Sequence, residues 1–360
     1  MLKFSIEKNI FLTALKFALN INDQSSSNFV LSSFKIEIKN ENLVIETSNQ
    51  NNSLKITIGK ENITDISSGK ILIKAKILYD TINKISNSNV KIEQIDSSIL
   101  KITSAKFTAN INLFDVEAYP IVDFDKNGYK KIIIPLELLK IISNKLISFS
   151  EKTMSNISPL NGILFDSTRI DNQIEVVASD YAQLAYIKEK YVGEKFKSIF
   201  TIEMIAIIMN MYEQNKDTKV DLYLKEKNVI LDNKNILIKC KLIDGDFPSV
   251  NKIIDEEQIF FLKFNKKEAI DIIERSIIIN ANEKKPITQL NFKKNIIEII
   301  CSSSEIGKTY DELLLLNNYD GENISVSVNA KNLLNILKNI NSSIVTLSFS
   351  SKNRPFNFID

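Results

Sequence analysis

One outline runs through this chain three times, at a period close to 128 residues. A strand pattern followed by a helical pattern opens at Leu2 (Leu2-Lys3-Phe4-Ser5-Ile6, then on to Asn20). It opens again at Lys131 (Lys131-Ile132-Ile133-Ile134, then Leu136 to Ser150) and at Ile259 (Ile259 to Phe264, then Lys266 to Ile279). A second strand–helix pair recurs in phase: Ile71-Leu72-Ile73-Lys74 into Ala75–Ser86, Ser198-Ile199-Phe200 into Ile202–Gln214, and Ile324 to Val328 into Ala330–Asn341. Two copies close alike, as Leu113-Phe114-Asp115 leading to Pro120 and Leu242-Ile243-Asp244 leading to Pro248. A period of this size is that of a domain, which excludes short solenoid repeats and favours three like domains in a row. The polar segments near Asp125–Tyr129 and Asp255–Gln258 divide the chain into domains at 1–126, 127–254 and 255–360.

Between the helices the pattern has period two. Phe34-Lys35-Ile36-Glu37-Ile38 alternates, Asn40-Glu41-Asn42 makes a turn, and Leu43-Val44-Ile45-Glu46-Thr47 returns as a hairpin partner. Matching strands read Gly162-Ile163-Leu164-Phe165 with Ile174 to Ala178, and Gln289 to Phe292 with Ile296 to Ile300. The helices are amphipathic: Ile10, Phe11, Ala14, Leu15 and Ala18 form one stripe of the first, Asn9, Thr13, Lys16 and Asn20 the opposite one. Helix 330–341 sets Leu333, Leu334, Leu337 and Ile340 against Lys331, Asn335 and Lys338. The expected class is α+β, with two helices per copy packed on antiparallel sheets.

Composition narrows the chemistry. The chain has no His, which removes the usual general base and the commonest transition-metal ligand. Its two cysteines, Cys240 and Cys301, sit in apolar strand patterns and read as buried reduced thiols of a cytoplasmic protein; they cannot build a zinc site. Gly59-Lys60 and Gly69-Lys70 lack the spacing of a phosphate-binding loop and fit turns better. No run of about 18 apolar residues spans a membrane, and the N-terminus shows no signal-peptide pattern. Nothing clusters carboxylates or serines for catalysis, so neither an enzyme nor a cofactor is expected. Net charge is +2, with +4 on the six helical segments and −2 elsewhere. That distribution fits either solvated helix faces or a surface turned toward a polyanion.

Several segments carry a resemblance. Leu160-Asn161-Gly162-Ile163-Leu164-Phe165, Ala178-Ser179-Asp180-Tyr181-Ala182-Gln183-Leu184-Ala185, Leu242-Ile243-Asp244-Gly245-Asp246-Phe247-Pro248 and Arg354-Pro355-Phe356 are similar to signature segments of the bacterial DNA sliding clamp family, the β subunit of the replicative polymerase. The resemblance implies a homodimeric ring of six domains that encircles duplex DNA and tethers the polymerase, the clamp loader and repair factors by short peptide motifs. Lys8, Lys16, Lys84, Lys140, Lys145, Lys331 and Lys338, drawn from the polar helix stripes, would then face the DNA. By matching position, Leu160, Ser179, Tyr181, Gln183, Leu184, Pro248, Lys252 and Ile253, with Pro355, would line a peptide pocket between the second and third domains. Phe107 would meet Ile278 and Ile279 of a second copy at the dimer junction.

Three departures stand out. Gln183 replaces the family's arginine, exchanging a guanidinium fork for a neutral amide. The loop Gln24-Ser25-Ser26-Ser27-Asn28 lacks the arginine that relatives often carry there. The third copy stops at Asp360, one strand earlier than its own repeat leads one to expect. These departures leave an alternative reading, a divergent or truncated clamp-fold scaffold that binds proteins without encircling DNA.

Overall fold

The computed structural model describes residues 1–152, 158–212, 217–280 and 282–359. The expected end of a helix at Gln214 lies outside them. The first copy contains β1 (Lys3–Glu7), α1 (Lys8–Leu19), β2 (Ser33–Lys39), β3 (Asn42–Ser48), β4 (Asn52–Ile58), β5 (Ile63–Ser67), β6 (Gly69–Lys74), α2 (Ala75–Lys84), β7 (Asn89–Gln94), β8 (Ile99–Ser104) and β9 (Phe107–Asn112). The second contains β10 (Lys130–Pro135), α3 (Leu136–Ile141), β11 (Gly162–Asp166), β12 (Gln173–Ser179), β13 (Leu184–Lys190), β14 (Lys197–Thr201), α4 (Ile202–Tyr212), β15 (Lys219–Lys225), β16 (Asn228–Asn233) and β17 (Ile236–Lys241), followed by the short α5 (Asn251–Ile254). The third contains β18 (Phe260–Asn265), α6 (Lys266–Ser276), β19 (Ile287–Phe292), β20 (Ile296–Ser303), β21 (Gly307–Leu314), β22 (Ile324–Asn329), α7 (Ala330–Asn339), β23 (Ile344–Phe349) and β24 (Asn357–Ile359).

Two compact units are built from these elements. One comprises Met1–Ser143, Ser150–Ala178 and Ile187–Asp246; the other comprises Asn144–Phe149, Ser179–Tyr186 and Phe247–Asp360. In the first unit, one sheet runs β5-β1-β7-β8-β9 and a second runs β10-β15-β16-β17-β4-β3-β2-β6. The eight-stranded sheet is continuous across two copies because β17 pairs antiparallel with β4, setting Ile236 opposite Ile56, Ile238 opposite Leu54 and Cys240 opposite Asn52. Pairing the two edges satisfies backbone groups that would otherwise be left open to intermolecular pairing. The remaining sheets run β13-β12-β11-β14, β22-β19-β20-β21 and β18-β23-β24.

The repeat has a physical basis at each level. Each first strand leads directly into a helix, and the helices cover sheet faces with their apolar stripes: Phe11, Ala14, Leu15 and Ala18 are buried in α1, and Leu333, Leu334 and Leu337 in α7. Burying one such leucine or phenylalanine contributes about 1.5–3 kcal/mol. Phe4 meets Phe11 edge-on at 5.7 Å in the first copy, and Phe165 stacks on Phe200 at 4.4 Å in the second. The like endings also have like geometry. Phe114 N–H donates to Leu72 O at 2.8 Å and Ile243 N–H to Ile199 O at 3.0 Å, so each closing segment adds one bridge to the strand before the second helix.

Two local readings need correction. The segment 136–150 is not one α-helix: α3 ends at Ile141, a wide turn covers Ile142–Leu146 and a tight one covers Ile147–Phe149. Ser148 Oγ donates back to Lys145 O at 3.2 Å, a local bond that competes with regular helix geometry. Gly69 is not a turn glycine; it opens β6, and a Cβ there would lie 2.4 Å from Leu2 N, so close backbone approach requires glycine. Cys240 and Cys301 are free and buried in strands, and burial pushes both thiols up from their ordinary range.

Candidate nucleic-acid and peptide sites

The helix lysines have different environments. Lys16 and Lys84 are exposed on α1 and α2, with no ion-pair partner among the described residues. Lys140 pairs with Glu137 one turn back at 3.7 Å, and Lys338 pairs with Glu274 of α6 at 2.7 Å. Lys331 donates to Glu283 O at 2.7 Å. Lys145 lies on the wide turn after α3 and is half-buried. Lys8 is engaged elsewhere: its ammonium donates to Asn83 O at 3.1 Å and Ile85 O at 2.5 Å, at the carbonyl end of α2. A cation there satisfies carbonyls that the helix leaves open and complements its dipole. The third copy repeats the device, since Lys266 donates to Ile340 O at 2.9 Å beyond the end of α7. Each lysine opens the first helix of its copy and closes the second. Sequence reasoning missed Lys266; its signal was a lysine at the same place in two copies.

Eight of the nine proposed peptide-pocket residues, all except Leu160, fall within the second compact unit. Leu160 belongs to the first, fully buried in a 3-10 turn, Pro159–Asn161, whose Asn161 Oδ1 accepts from Ser158 N. Ser179 to Leu184 form the connection between β12 and β13. There Asp180 is the hub: its Oδ1 accepts from Ala182 N at 3.0 Å and Gln183 N at 2.9 Å, and its Oδ2 accepts from Gln183 Nε2 at 3.1 Å. Ser179 Oγ donates to Gln183 O at 2.9 Å. Gln183 Oε1 in turn accepts from Asn335 Nδ2 of α7 at 3.4 Å. The Gln183 amide is thus tied into the turn. Tyr181 projects from it, 79% exposed.

Pro248 and Lys252 are exposed and Ile253 half-buried, on and just before α5; Pro355 is exposed in the segment before β24. Glu256 anchors that segment by accepting from Ser350 Oγ at 2.6 Å and lying 3.5 Å from Arg354 Nε. Leu184, Ile253 and the two prolines offer apolar contact without a charged group, suited to apolar side chains of an extended peptide. Phe107 opens β9, the outermost strand of its sheet, and is 44% exposed; Ile278 is 69% exposed just after α6. Ile279 is half-buried. Among the described residues no group of His, Cys, Asp or Glu is arranged to hold a metal, and no helix is long and apolar enough to cross a membrane.

The family model for the N-terminal domain of the DNA polymerase III beta subunit matches residues 2–123, and that for its C-terminal domain matches residues 251–359. The chain is 24% identical to the beta sliding clamp of Streptococcus pneumoniae R6, with 100% of this chain and 95% of that protein covered. It is 27% identical to the beta sliding clamp of Rickettsia bellii, over 99% and 95%. The crystal structure of the DNA polymerase III beta chain from Streptococcus pneumoniae TIGR4 superimposes with a TM-score of 0.90 at 23% identity, over 100% of this chain and 96% of that one. The threefold outline, the helix pairs on antiparallel sheets and the family matches at both ends lead to one assignment: the chain belongs to the DNA polymerase III beta subunit family.

Proposed function

We infer that this chain is a DNA polymerase processivity factor, a sliding clamp with no chemistry of its own. The observation that carries this reading is the match of both terminal thirds to the family, on a chain whose three copies each keep a helix pair. In this reading three domains, with boundaries near 126 and 254, contribute to a six-domain ring made by two protomers. Phe107 meets Ile278 and Ile279 of the partner subunit. The polar helix faces turn toward duplex DNA. Their cations are few, and several are paired. That sparseness suits a ring whose retention on DNA is topological, because weak phosphate contact lets it slide. Lys16 and Lys84 are the strongest candidates for such contact. Lys8 acts chiefly on α2.

Ser179, Tyr181, Gln183, Leu184, Pro248, Lys252, Ile253 and Pro355, all of the second compact unit, receive peptide motifs of the polymerase and the clamp loader. The experiment is retention on DNA combined with solution mass. A dimer that stays on closed circular DNA after loading, and is lost when that DNA is linearised, is the expected result. A monomer with no difference between circular and linear DNA would overturn the reading.

A further inference from the structure

The segment between β9 and β10 crosses one face of the eight-stranded sheet. It is the face on which Lys35 and Glu37 alternate with the buried Phe34, Ile36 and Ile38. Ties to successive strands hold the segment there. Lys70 of β6 meets Glu117 at 2.5 Å, Lys239 of β17 donates to Asp123 O at 2.9 Å, and Lys126 meets Asp232 of β16 at 2.6 Å. Between the first two ties lies a cavity of about 200 Å³, with Val44, Ile121 and Val122 as its apolar wall. Its charged lining sets three cations, Lys35, Lys39 and Lys55, against two carboxylates, Glu37 and Glu46.

Lys35 holds both carboxylates, at 3.0 Å from Glu46 and 3.7 Å from Glu37. Lys39 and Lys55 have no ion-pair partner among the described residues. Tyr119 stands beside this group, its ring centroid 5.8 Å from Lys35 Nζ. The Tyr119 hydroxyl is buried and has no hydrogen-bond partner among the described residues. Burial, reinforced by the Glu46 carboxylate, pushes this phenol up from its ordinary range, so it stays a donor. A buried donor left without an acceptor is costly.

The fold itself does not require these polar groups. Counting back from the turns at Asn49 and Asp180, Glu46 corresponds to Val177 in the second copy, and their cross-strand partners are Lys35 and Leu164. The matching prolines, Pro120 and Pro248, set Tyr119 against Phe247. All three counterparts are apolar and buried. An ion pair as covered as Lys35 and Glu46, with side chains 20% and 14% exposed, seldom stabilises a fold more than apolar residues in its place. The polar trio is therefore an addition of the first copy.

We propose that this cavity binds a small oxyanion, a phosphate group, through Lys55, Lys39 and the Tyr119 hydroxyl. With both carboxylates held by Lys35, the groups left over are all donors, and two of them are cations. Such a set suits an anion with several acceptor oxygens and disfavours a metal ion. The volume lies below that of sites enclosing a drug-sized ligand, so the cavity takes the phosphate group and no more. That group is either free phosphate or the end of a nucleotide.

The test is phosphorus NMR line broadening with the full chain, using inorganic phosphate and thymidine monophosphate at an ionic strength fixed with chloride. The unaltered chain is expected to bind phosphate with a Kd of about 1 mM. Tyr119→Phe and Lys55→Met are each expected to weaken binding about tenfold. The triple variant Lys35→Leu, Glu46→Val, Tyr119→Phe gives the first copy the residues of the second. It is expected to keep its Tm or raise it, and to bind more weakly than Tyr119→Phe alone because Glu37 is left unpaired. Equal affinity for the two probes assigns the free ion, and tighter binding of thymidine monophosphate assigns a nucleotide phosphate. No broadening with the unaltered chain would overturn the inference. So would affinity unchanged in Tyr119→Phe and in the triple variant, since that would reduce the effect to diffuse surface charge.

Discussion

The turn at Asn49 and the turn at Asp180 are the same device in two settings. Both join consecutive strands of a hairpin, and both use one side-chain oxygen to hold two backbone N–H groups. The first is built into the junction of two copies. Asn51 O accepts from Lys241 N at 2.9 Å, Asn49 Nδ2 donates to Glu203 Oε1 at 3.0 Å, and Asn52 lies buried opposite Cys240 in the continuous sheet. The second displays Tyr181 from its tip. The difference teaches that a repeated fold element has no fixed role. Where a strand of the next copy hydrogen-bonds to the turn, as Lys241 N does to Asn51 O, its groups serve stability; at Asp180 the same geometry presents an aromatic residue.

The coarsest way to break this comparison is to remove packing from the sheet that carries the second hairpin. Phe200→Ala deletes one member of the fully buried pair with Phe165, and urea unfolding is expected to show a loss of about 3–5 kcal/mol. Unfolding midpoints that scarcely move would mean that this aromatic pair does not support the sheet.

A finer cut compares the two locks directly. Asn49→Ala removes an acceptor of two N–H bonds and a junction bond, with an expected cost of about 1–2 kcal/mol. Asp180→Ala is expected to cost less stability but more peptide affinity. Equal costs in both assays would erase the distinction between junction and display.

Smaller effects are expected at the lysines that close the second helices. Lys8→Met and Lys266→Met each lose bonds to helix-end carbonyls, worth about 1 kcal/mol apiece. The two sites share no partner, so the double variant should show the sum. Lys16→Met, by contrast, should leave the melting temperature where it is and reduce the salt dependence of DNA association. A fall in stability as large as that of Lys8→Met would remove the contrast between a structural and a free lysine.

The smallest effect concerns Asp244, exposed in the turn before Pro248. Lys227 hydrogen-bonds it and holds its carboxyl below the ordinary carboxylate range. A carboxylate whose folded pKa is depressed contributes stability above its unfolded pKa and loses it as pH falls through the folded one. Asp244→Asn should therefore flatten the acid limb of the melting profile slightly, and the position is exposed enough for solvent to screen most of the effect.

Much of this molecule follows from local rules that a sequence displays. Hydrophobic period, strand-to-helix order and like endings announced three copies of an α+β outline, because side chains one turn or two residues apart must share a face wherever the chain goes. The motifs around Ser179 to Leu184 and Asp244 to Pro248 marked the candidate peptide residues before any geometry was known. Distance along the chain hid the rest. Lys8 looked like one more cation on a polar stripe until folding brought the end of α2, some 75 residues away, against its ammonium. Gly69 looked like a turn until Leu2 came within reach. The segment 142–149 kept a helical pattern, yet it leaves α-geometry after Ile141, with Ser148 Oγ bonded back to Lys145 O. The sequence by itself determined the repeat, the α+β class and the family. Only the tertiary structure decided which of two like turns bonds to the next copy and which holds an aromatic residue at positive φ, because partners and φ at a turn depend on what meets it there and not on the residues that name it.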